Sequence, residues 1–318
     1  MKKILLSEPI PEEGLALLRG KSDIVLASDC SENAVIADIT DIYGIVLRSK
    51  TKITRKIIEA APLLRIISRT GTGYDNVDVA AASEHNVMVC NLPGINAVSV
   101  AEHTMAFILA LAKKLKEMDG FVRNGAWNKR SDYISIELEG KILGIIGLGQ
   151  IGYRVMKMAQ AFGMKTLVWD PFVEERYADQ TAFSTSLEEL FKVSDIITVH
   201  VPNLTENRNM ITEELLLLMK QEAFFVNTSR GEVVNEKALI NLLDQNKIRG
   251  AALDVFENEP LTEDHPFTHM KNVILSPHAA ALTVESGLRL AVKAVEQVVD
   301  LLEGRIPLHI VNRDRIKL

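Results

Sequence analysis

Four short runs of polar and ionisable residues each follow an apolar stretch in the second half of the 318-residue chain. They are Asn227-Thr228-Ser229-Arg230-Gly231, Asp254-Val255-Phe256-Glu257-Asn258-Glu259-Pro260, Ser276-Pro277-His278-Ala279-Ala280-Ala281 and Thr198-Val199-His200-Val201-Pro202. An arginine clamps a carboxylate with two hydrogen bonds. A histidine takes or delivers a hydroxyl proton, and a neighbouring carboxylate orients its ring and stabilises the imidazolium. Taken singly, each has a plainer reading. A histidine at a strand end is more often a hydrogen-bonded structural residue, Arg230 suits a surface ion pair, and Glu259 before Pro260 suits a solvated loop. The conjunction of Arg230, Glu259 and His278 is what points to chemistry.

A second motif says what that chemistry works with. The apolar run Ile142–Ile146 leads into Gly147-Leu148-Gly149-Gln150-Ile151-Gly152, and helical spacing follows from Tyr153 to Phe162. Gly147 permits the tight turn, Gly149 lets backbone approach a pyrophosphate, and Gly152 lets helix pack on strand. The phosphates then meet the free N–H groups of the helix N-terminus. A second apolar run, Thr166–Trp169, ends at Asp170, 18 residues beyond Gly152, where a carboxylate accepts from both ribose hydroxyls and repels a 2′-phosphate. Asp170 before Pro171 also suits a plain turn residue, but Pro171-Phe172-Val173 offers no adjacent cation for a phosphate, so NAD is expected over NADP. An NAD site together with Arg, Glu and His suggests hydride transfer on a carboxylate-bearing alcohol.

The elements that must position these residues follow a repeating pattern. Lys3–Leu6, Ile24–Leu26, Gly44–Leu47, Leu64–Ser68 and Val87–Cys90 read as strands. Helical patterns lie between them at Glu12–Arg19, Ser31–Ile39, Thr54–Ala61 and Val79–His85, with Thr54 and Asp78 as N-caps. After Lys141 the strands are Ile142–Ile146, Thr166–Trp169, Ile196–His200, Ala223–Asn227, Gly250–Asp254 and Val273–Leu275. Helices at Leu187–Phe191, Glu213–Leu218 and Glu236–Leu243 follow the caps Ser186, Thr212 and Asn235. Such alternation builds parallel sheets covered on both faces. The segment Ser99–Met118 has almost no polar face in its middle and must be buried, either between domains or against a second copy. Val284–Leu302 is a long final helix, able to return to the first domain.

Composition narrows the class. With 47% hydrophobic and 25% charged residues, the chain reads as a globular protein long enough for two domains. A net charge of −6 argues against a nucleic-acid or anionic-membrane surface. Cys30 and Cys90 make no disulfide framework. No secretory leader is read in Met1-Lys2-Lys3 and the short apolar run after it, so a cytoplasmic setting is expected. His265 and His269 are four apart, but Pro266 lies between them and no helical pattern surrounds them, so no metal is expected.

The glycine loop and the NTSRG, DVFENEP and SPHAA runs resemble the D-isomer-specific 2-hydroxyacid dehydrogenases, and the resemblance covers nearly the whole chain. It implies that Arg230 binds substrate and that Glu259 and His278 form the acid/base pair. It implies NAD contacts at Gly147, Gly149, Gln150, Ile151, Gly152 and Asp170. On the nicotinamide side it implies Val201, Thr228, Ser229, Asp254, His278, Ala281 and Thr72; His200 is assigned no chemistry. The run Arg69-Thr70-Gly71-Thr72-Gly73-Tyr74-Asp75-Asn76-Val77-Asp78 resembles the family's first-domain glycine turn, and Asn96–Glu102 its hinge; the turn alone reads equally well as a plain strand-to-helix connection. The expected architecture is two Rossmann-like α/β domains, doubly wound parallel sheets with a cleft between them. One is a flavodoxin-like substrate domain of residues 1–98 plus 285–318, the other an NAD-binding domain of residues 99–284. Within the family the chain resembles the phosphoglycerate dehydrogenases. Arg48, Arg69, Thr72, Gly73 and Arg230 then become substrate contacts, and the run Val46-Leu47-Arg48-Ser49-Lys50-Thr51 together with Arg69 and Trp127-Asn128-Lys129-Arg130 suits a phosphate, or is simply a solvated basic edge. The regulatory C-terminal extension of many such enzymes is not expected here. Hydroxypyruvate or glyoxylate reduction, and an NAD-sensing corepressor, remain open alternatives. A homodimer through Ser99–Met118 is expected.

Overall fold

The computed structural model describes residues 1–172, 180–184 and 186–317. The chain divides into two compact units, Met1–Asn96 with Leu282–Leu318, and Ala97–Ala281. These divisions fall two and three residues from the expected boundaries.

In the first unit, β1 (Lys3–Leu6), β2 (Asp23–Leu26), β3 (Ile42–Leu47), β4 (Ile66–Arg69) and β5 (Met88–Cys90) form a parallel sheet in the order β2-β1-β3-β4-β5. That is the flavodoxin-like order. Because both faces are covered, β3 reads as a continuous apolar run whose alternate residues enter different cores. Ile45 and Leu47 join Val35, Ile57 and Ile67, whereas Val46 joins Ile4, Leu18 and Ile66. Helices α1 (Glu12–Leu18), α2 (Glu32–Asp38), α3 (Arg55–Glu59) and α4 (Val79–Glu84) connect the strands. Asp78 caps α4 by accepting from the Ala81 N–H at 2.8 Å, but Thr54 does not cap α3; its hydroxyl donates to Glu32 instead.

The second unit contains α5 (Ala97–Lys113), α6 (Leu115–Arg123), β6 (Ile142–Ile146), α7 (Gln150–Ala161), β7 (Lys165–Trp169), β8 (Ala182–Phe183), α8 (Leu187–Val193), β9 (Ile196–Val199), α9 (Glu213–Leu216), β10 (Phe224–Asn227), α10 (Glu236–Asp244), β11 (Gly250–Leu253), α11 (Pro266–His269) and β12 (Val273–Leu275). Its parallel sheet runs β12-β11-β10-β9-β6-β7-β8. The order reverses direction between β6 and β9, the switch point where doubly wound sheets bind dinucleotides. The final helix α12 (Val284–Leu302) belongs to the first unit, where Leu290, Ala294 and Val298 pack with Val46 and Ile66. Among the described residues, no helix is long and apolar enough to cross a membrane.

The segment expected as one helix over Ser99–Met118 is two. Lys114 takes a left-handed backbone, φ 52° and ψ 43°, and breaks it. The burial argument also changes. Ala101, Met105, Ile108, Leu111 and Ala112 pack against Val155, Met156 and Ala159 of α7 and against sheet residues of the same unit, so no second copy is needed to cover α5. Helix α6 by contrast buries none of its residues.

Candidate active site

At the end of β6 the Gly147 N–H donates to the Trp169 carbonyl at 2.9 Å, and Gly147 adopts φ +92°. A Cβ on Gly152 would overlap the Gly147 carbonyl, whereas the space beside Gly149 is open. Gln150, exposed, begins α7, and Ile151 follows half-buried. Asp170 stands directly after β7, with Oδ2 accepting from the Leu148 N–H at 2.7 Å and Oδ1 from the Phe172 N–H at 2.8 Å. The carboxylate is therefore fixed toward the glycine turn, with a lone pair left on each oxygen. An open turn, a helix N-terminus and a fixed acid together fit a dinucleotide. Val173, read as part of the cation-free surroundings of Asp170, lies outside the described residues.

Arg230, Glu259 and His278 follow β10, β11 and β12, at the same carboxyl edge of the sheet as the glycine turn. His278 Nδ1 lies 2.7 Å from Glu259 Oε2, while Glu259 Oε1 accepts from the Phe256 N–H at 3.1 Å. Burial pushes the Glu259 carboxyl up, but the His278 hydrogen bond and charge, the Phe256 N–H and the Arg230 charge outweigh it and leave it below the ordinary carboxylate value. Glu259 thus stays ionised and available to an imidazolium. The other histidine at this edge is unsuited to proton exchange, because burial pushes His200 down to about 3 and its Nε2 pairs with Thr198 Oγ1 at 3.0 Å.

Several side chains that sequence reasoning did not single out hold this arrangement. Asn227 accepts from both the N–H and the hydroxyl of Ser229 and donates to the Arg230 carbonyl, folding the arginine loop on itself. An Asn directly after an apolar strand is a turn signal that was available. Gly231 sits so close to Phe256 that a Cβ there would overlap its carbonyl carbon, and this locks the arginine loop to the glutamate loop. Thr228, expected at the nicotinamide, turns its hydroxyl to Thr104 at 2.9 Å and is buried. Asp254, also expected there, is 1% exposed and accepts from the Ala279 and Ala280 N–H groups at 2.7 and 2.9 Å and from the Ser276 hydroxyl. Its carboxylate is turned to the histidine loop. Val201 and Ala281 are half-buried; Val201 Cγ1 lies 3.0 Å from where a Gly147 Cβ would stand. His265 caps α11 and faces Glu236 at 3.3 Å.

The remaining expected substrate residues lie in the first unit. Arg48 follows β3 and donates from Nη1 to the Pro9 carbonyl at 2.7 Å; Arg69 ends β4 and donates from Nη1 to the Thr70 carbonyl at 2.7 Å. Its guanidinium lies over Gly71, where a Cβ would come within 2.6 Å of Nη1. Thr72 is exposed and donates to the Leu92 carbonyl and Asn96; Gly73 is half-buried.

Residues 105–280 match the family model described as D-isomer specific 2-hydroxyacid dehydrogenase, NAD binding domain. The D-3-phosphoglycerate dehydrogenase of Methanocaldococcus jannaschii is 39% identical over 99% of this chain and 60% of its own length. The glyoxylate reductase of Thermofilum pendens is 36% identical over 99% of this chain and 96% of its own. The chain thus spans between 55% and 60% of the length of the phosphoglycerate dehydrogenases it first matches. Among solved structures, the NADPH-dependent glyoxylate/hydroxypyruvate reductase of Sinorhizobium meliloti superposes with a TM-score of 0.89 at 26% identity, covering 100% of both chains. With the glycine turn, the fixed acid and the Arg–Glu–His edge all in the matched segment, the chain belongs to the D-isomer specific 2-hydroxyacid dehydrogenase family.

Proposed function

We propose that this chain is an NAD-dependent D-2-hydroxyacid dehydrogenase, and the observation that carries the reading is the His278–Glu259 pair beside the Arg230 charge. Arg230 binds the substrate carboxylate with its guanidinium. His278 holds a proton at Nε2 for the substrate oxygen during reduction and takes it back during oxidation. Glu259 orients the ring and stabilises its charged form. When bound, NAD(H) supplies or accepts the hydride. NAD is preferred to NADP because Asp170 presents a carboxylate where a 2′-phosphate would sit, although one structural relative is named as NADPH-dependent.

For substrate, the reading favoured by the arginines of the first unit is 3-phosphoglycerate, with Arg48 and Arg69 on the phosphate and Thr72 and Gly73 on the carboxylate. A second reading, reduction of hydroxypyruvate or glyoxylate, is supported by the match to a glyoxylate reductase over nearly that relative's full length. NADH oxidation with phosphohydroxypyruvate, hydroxypyruvate, glyoxylate and pyruvate separates them. Preference for the phosphorylated acid supports the first reading, preference for hydroxypyruvate or glyoxylate the second, and turnover of none supports a different acid or an NAD-sensing binding protein.

The proposed assembly is a homodimer. Its surface shifts from the expected Ser99–Met118 to α6 and the segment after it, where Leu115, Val122, Trp127 and Ile134 are exposed. Light scattering on purified protein tests it; a monomer refutes it. The two free cysteines suit the reducing cytoplasm proposed as its setting.

A further inference from the structure

Ser276, His103 and Asp254 make a cluster beside the proposed acid/base pair. The residue types are those of a nucleophilic triad, but the order is wrong. In a triad the histidine stands between serine and acid; here the serine does. Ser276 Oγ donates its proton to Asp254 Oδ1, so it must accept from His103 Nε2, 3.0 Å away, and His103 Nε2 is 4.0 Å from the acid. With His103 donating to the hydroxyl, Ser276 lacks the imidazole base that activates a triad serine. The cluster is built as a brace.

What it braces is the turn that presents His278. That residue adopts φ +52°, a left-handed backbone that costs a non-glycine residue about 1 kcal/mol or more. Its N–H is tied to the Asp254 carbonyl at 2.8 Å, and the next two N–H groups are tied to the Asp254 carboxylate. Ser276 closes the other end of the turn, and His103 closes on Ser276. The His103 ring is itself held edge-on against Phe107, with centroids 4.4 Å apart at 68°. The next residue on α5, Thr104, meets Thr228 in the arginine loop. One turn of α5 therefore touches two of the three loops that carry the proposed chemistry.

We propose that His103 is a positioning residue for proton exchange at His278, acting through Ser276 and the Asp254-anchored turn. The inference rests on the reading of His278 as the acid/base. His103→Phe keeps the ring and its packing on Phe107 but removes the donor, and His103→Gln restores an N–H near the position of Nε2. With NADH and either phosphohydroxypyruvate or hydroxypyruvate, His103→Phe should lower kcat about 10- to 100-fold, the scale of a small misplacement of a reacting group. Both KM values should stay near wild type, and His103→Gln should recover most of the loss. His103→Phe/Ser276→Ala should lose no more than Ser276→Ala alone, since Ser276→Ala already removes the contact that His103→Phe breaks. In the ligand-free protein, the downfield proton resonance of His278 Nδ1 on Glu259 should broaden in His103→Phe. If His103→Phe does not fold, His103→Asn, whose shorter amide cannot reach Ser276 from the position of Nε2, carries the same test. Wild-type kcat and an unchanged resonance beside an inactive His278→Ala would overturn the brace while leaving the role of His278 intact. Full activity of His278→Ala would overturn the role of His278, and the brace with it.

Discussion

Replacing Glu259 with Gln tests the proposed chemistry most directly, because the structure sets both the sign and the size of the effect. His278 Nδ1 and Glu259 Oε2 are 2.7 Å apart, with side chains 46% and 35% exposed. That exposure selects a water-like dielectric for the pair, and at this distance Coulomb's law then gives about 1.5 kcal/mol. The Glu259 carboxyl lies below its ordinary value, so its charge is present throughout the neutral range. Removing that charge makes the imidazolium lose its proton more easily. Reduction needs the protonated ring, so its alkaline decline should move to lower pH. Oxidation needs the neutral ring, so its acid-side rise should move down as well, and activity in that direction should extend to lower pH. There is also a geometric cost. The two carboxylate oxygens serve two donors, His278 Nδ1 and the Phe256 N–H, and a glutamine has only one carbonyl to offer them, so kcat should fall too. The assay is kcat/KM in both directions across the acid, neutral and alkaline range. A profile that keeps its limbs in place while the rate drops would refute the electrostatic coupling.

Gly152→Ala would drive a methyl into the Gly147 carbonyl; overpacking of this kind costs about 1–3 kcal/mol, and NADH titrated by fluorescence should bind correspondingly more weakly. Wild-type affinity would show that the turn tolerates a side chain. Asp170→Ser should raise the ratio of NADPH to NADH kcat/KM, because the charge that repels a 2′-phosphate is gone; an unchanged ratio would mean that Asp170 does not read the ribose. Burial pushes the Cys90 thiol up to about 12, so at mildly alkaline pH a disulfide reagent should titrate at most Cys30 in the native protein and both thiols after unfolding. Two fast-reacting thiols would contradict that burial.

The strands were legible because parallel strands buried on both faces are written as apolar runs, and Lys3–Leu6, Ile142–Ile146 and Val273–Leu275 lie where those runs stand. β8 was not legible: two residues, both exposed, carry no pattern. The break at Lys114 was hidden for a different reason. The apolar spacing continues through it to Leu115 and Met118 with neither glycine nor proline to mark the left-handed residue. Burial of α5 was visible, but what buries it was not, since hydrophobicity does not identify its partner. At the site, Arg230, Glu259 and His278 stand out by their conjunction after three successive apolar runs, and none of them does so singly. His103 and Ser276 do not, because their contact joins positions 173 residues apart and local spacing says nothing about it.

The proposed proton donor sits on a loop, and loops place side chains less well than strands do. The sequence meets this with a buried acid. Asp254 directly follows β11, on the rigid edge of the sheet, and its carboxylate gathers three donors from Ser276, Ala279 and Ala280 while its carbonyl takes a fourth from His278. Burying a carboxylate this fully is unfavourable unless its oxygens are satisfied, so the turn is stable only in the conformation that satisfies them. The same requirement selects an acid over an amide, because an asparagine would set a donor against one of those donors. Precision at His278 is thus obtained by making every other arrangement of the turn leave a buried charge short of partners. This accounts for a left-handed histidine where a glycine would be easier to fold.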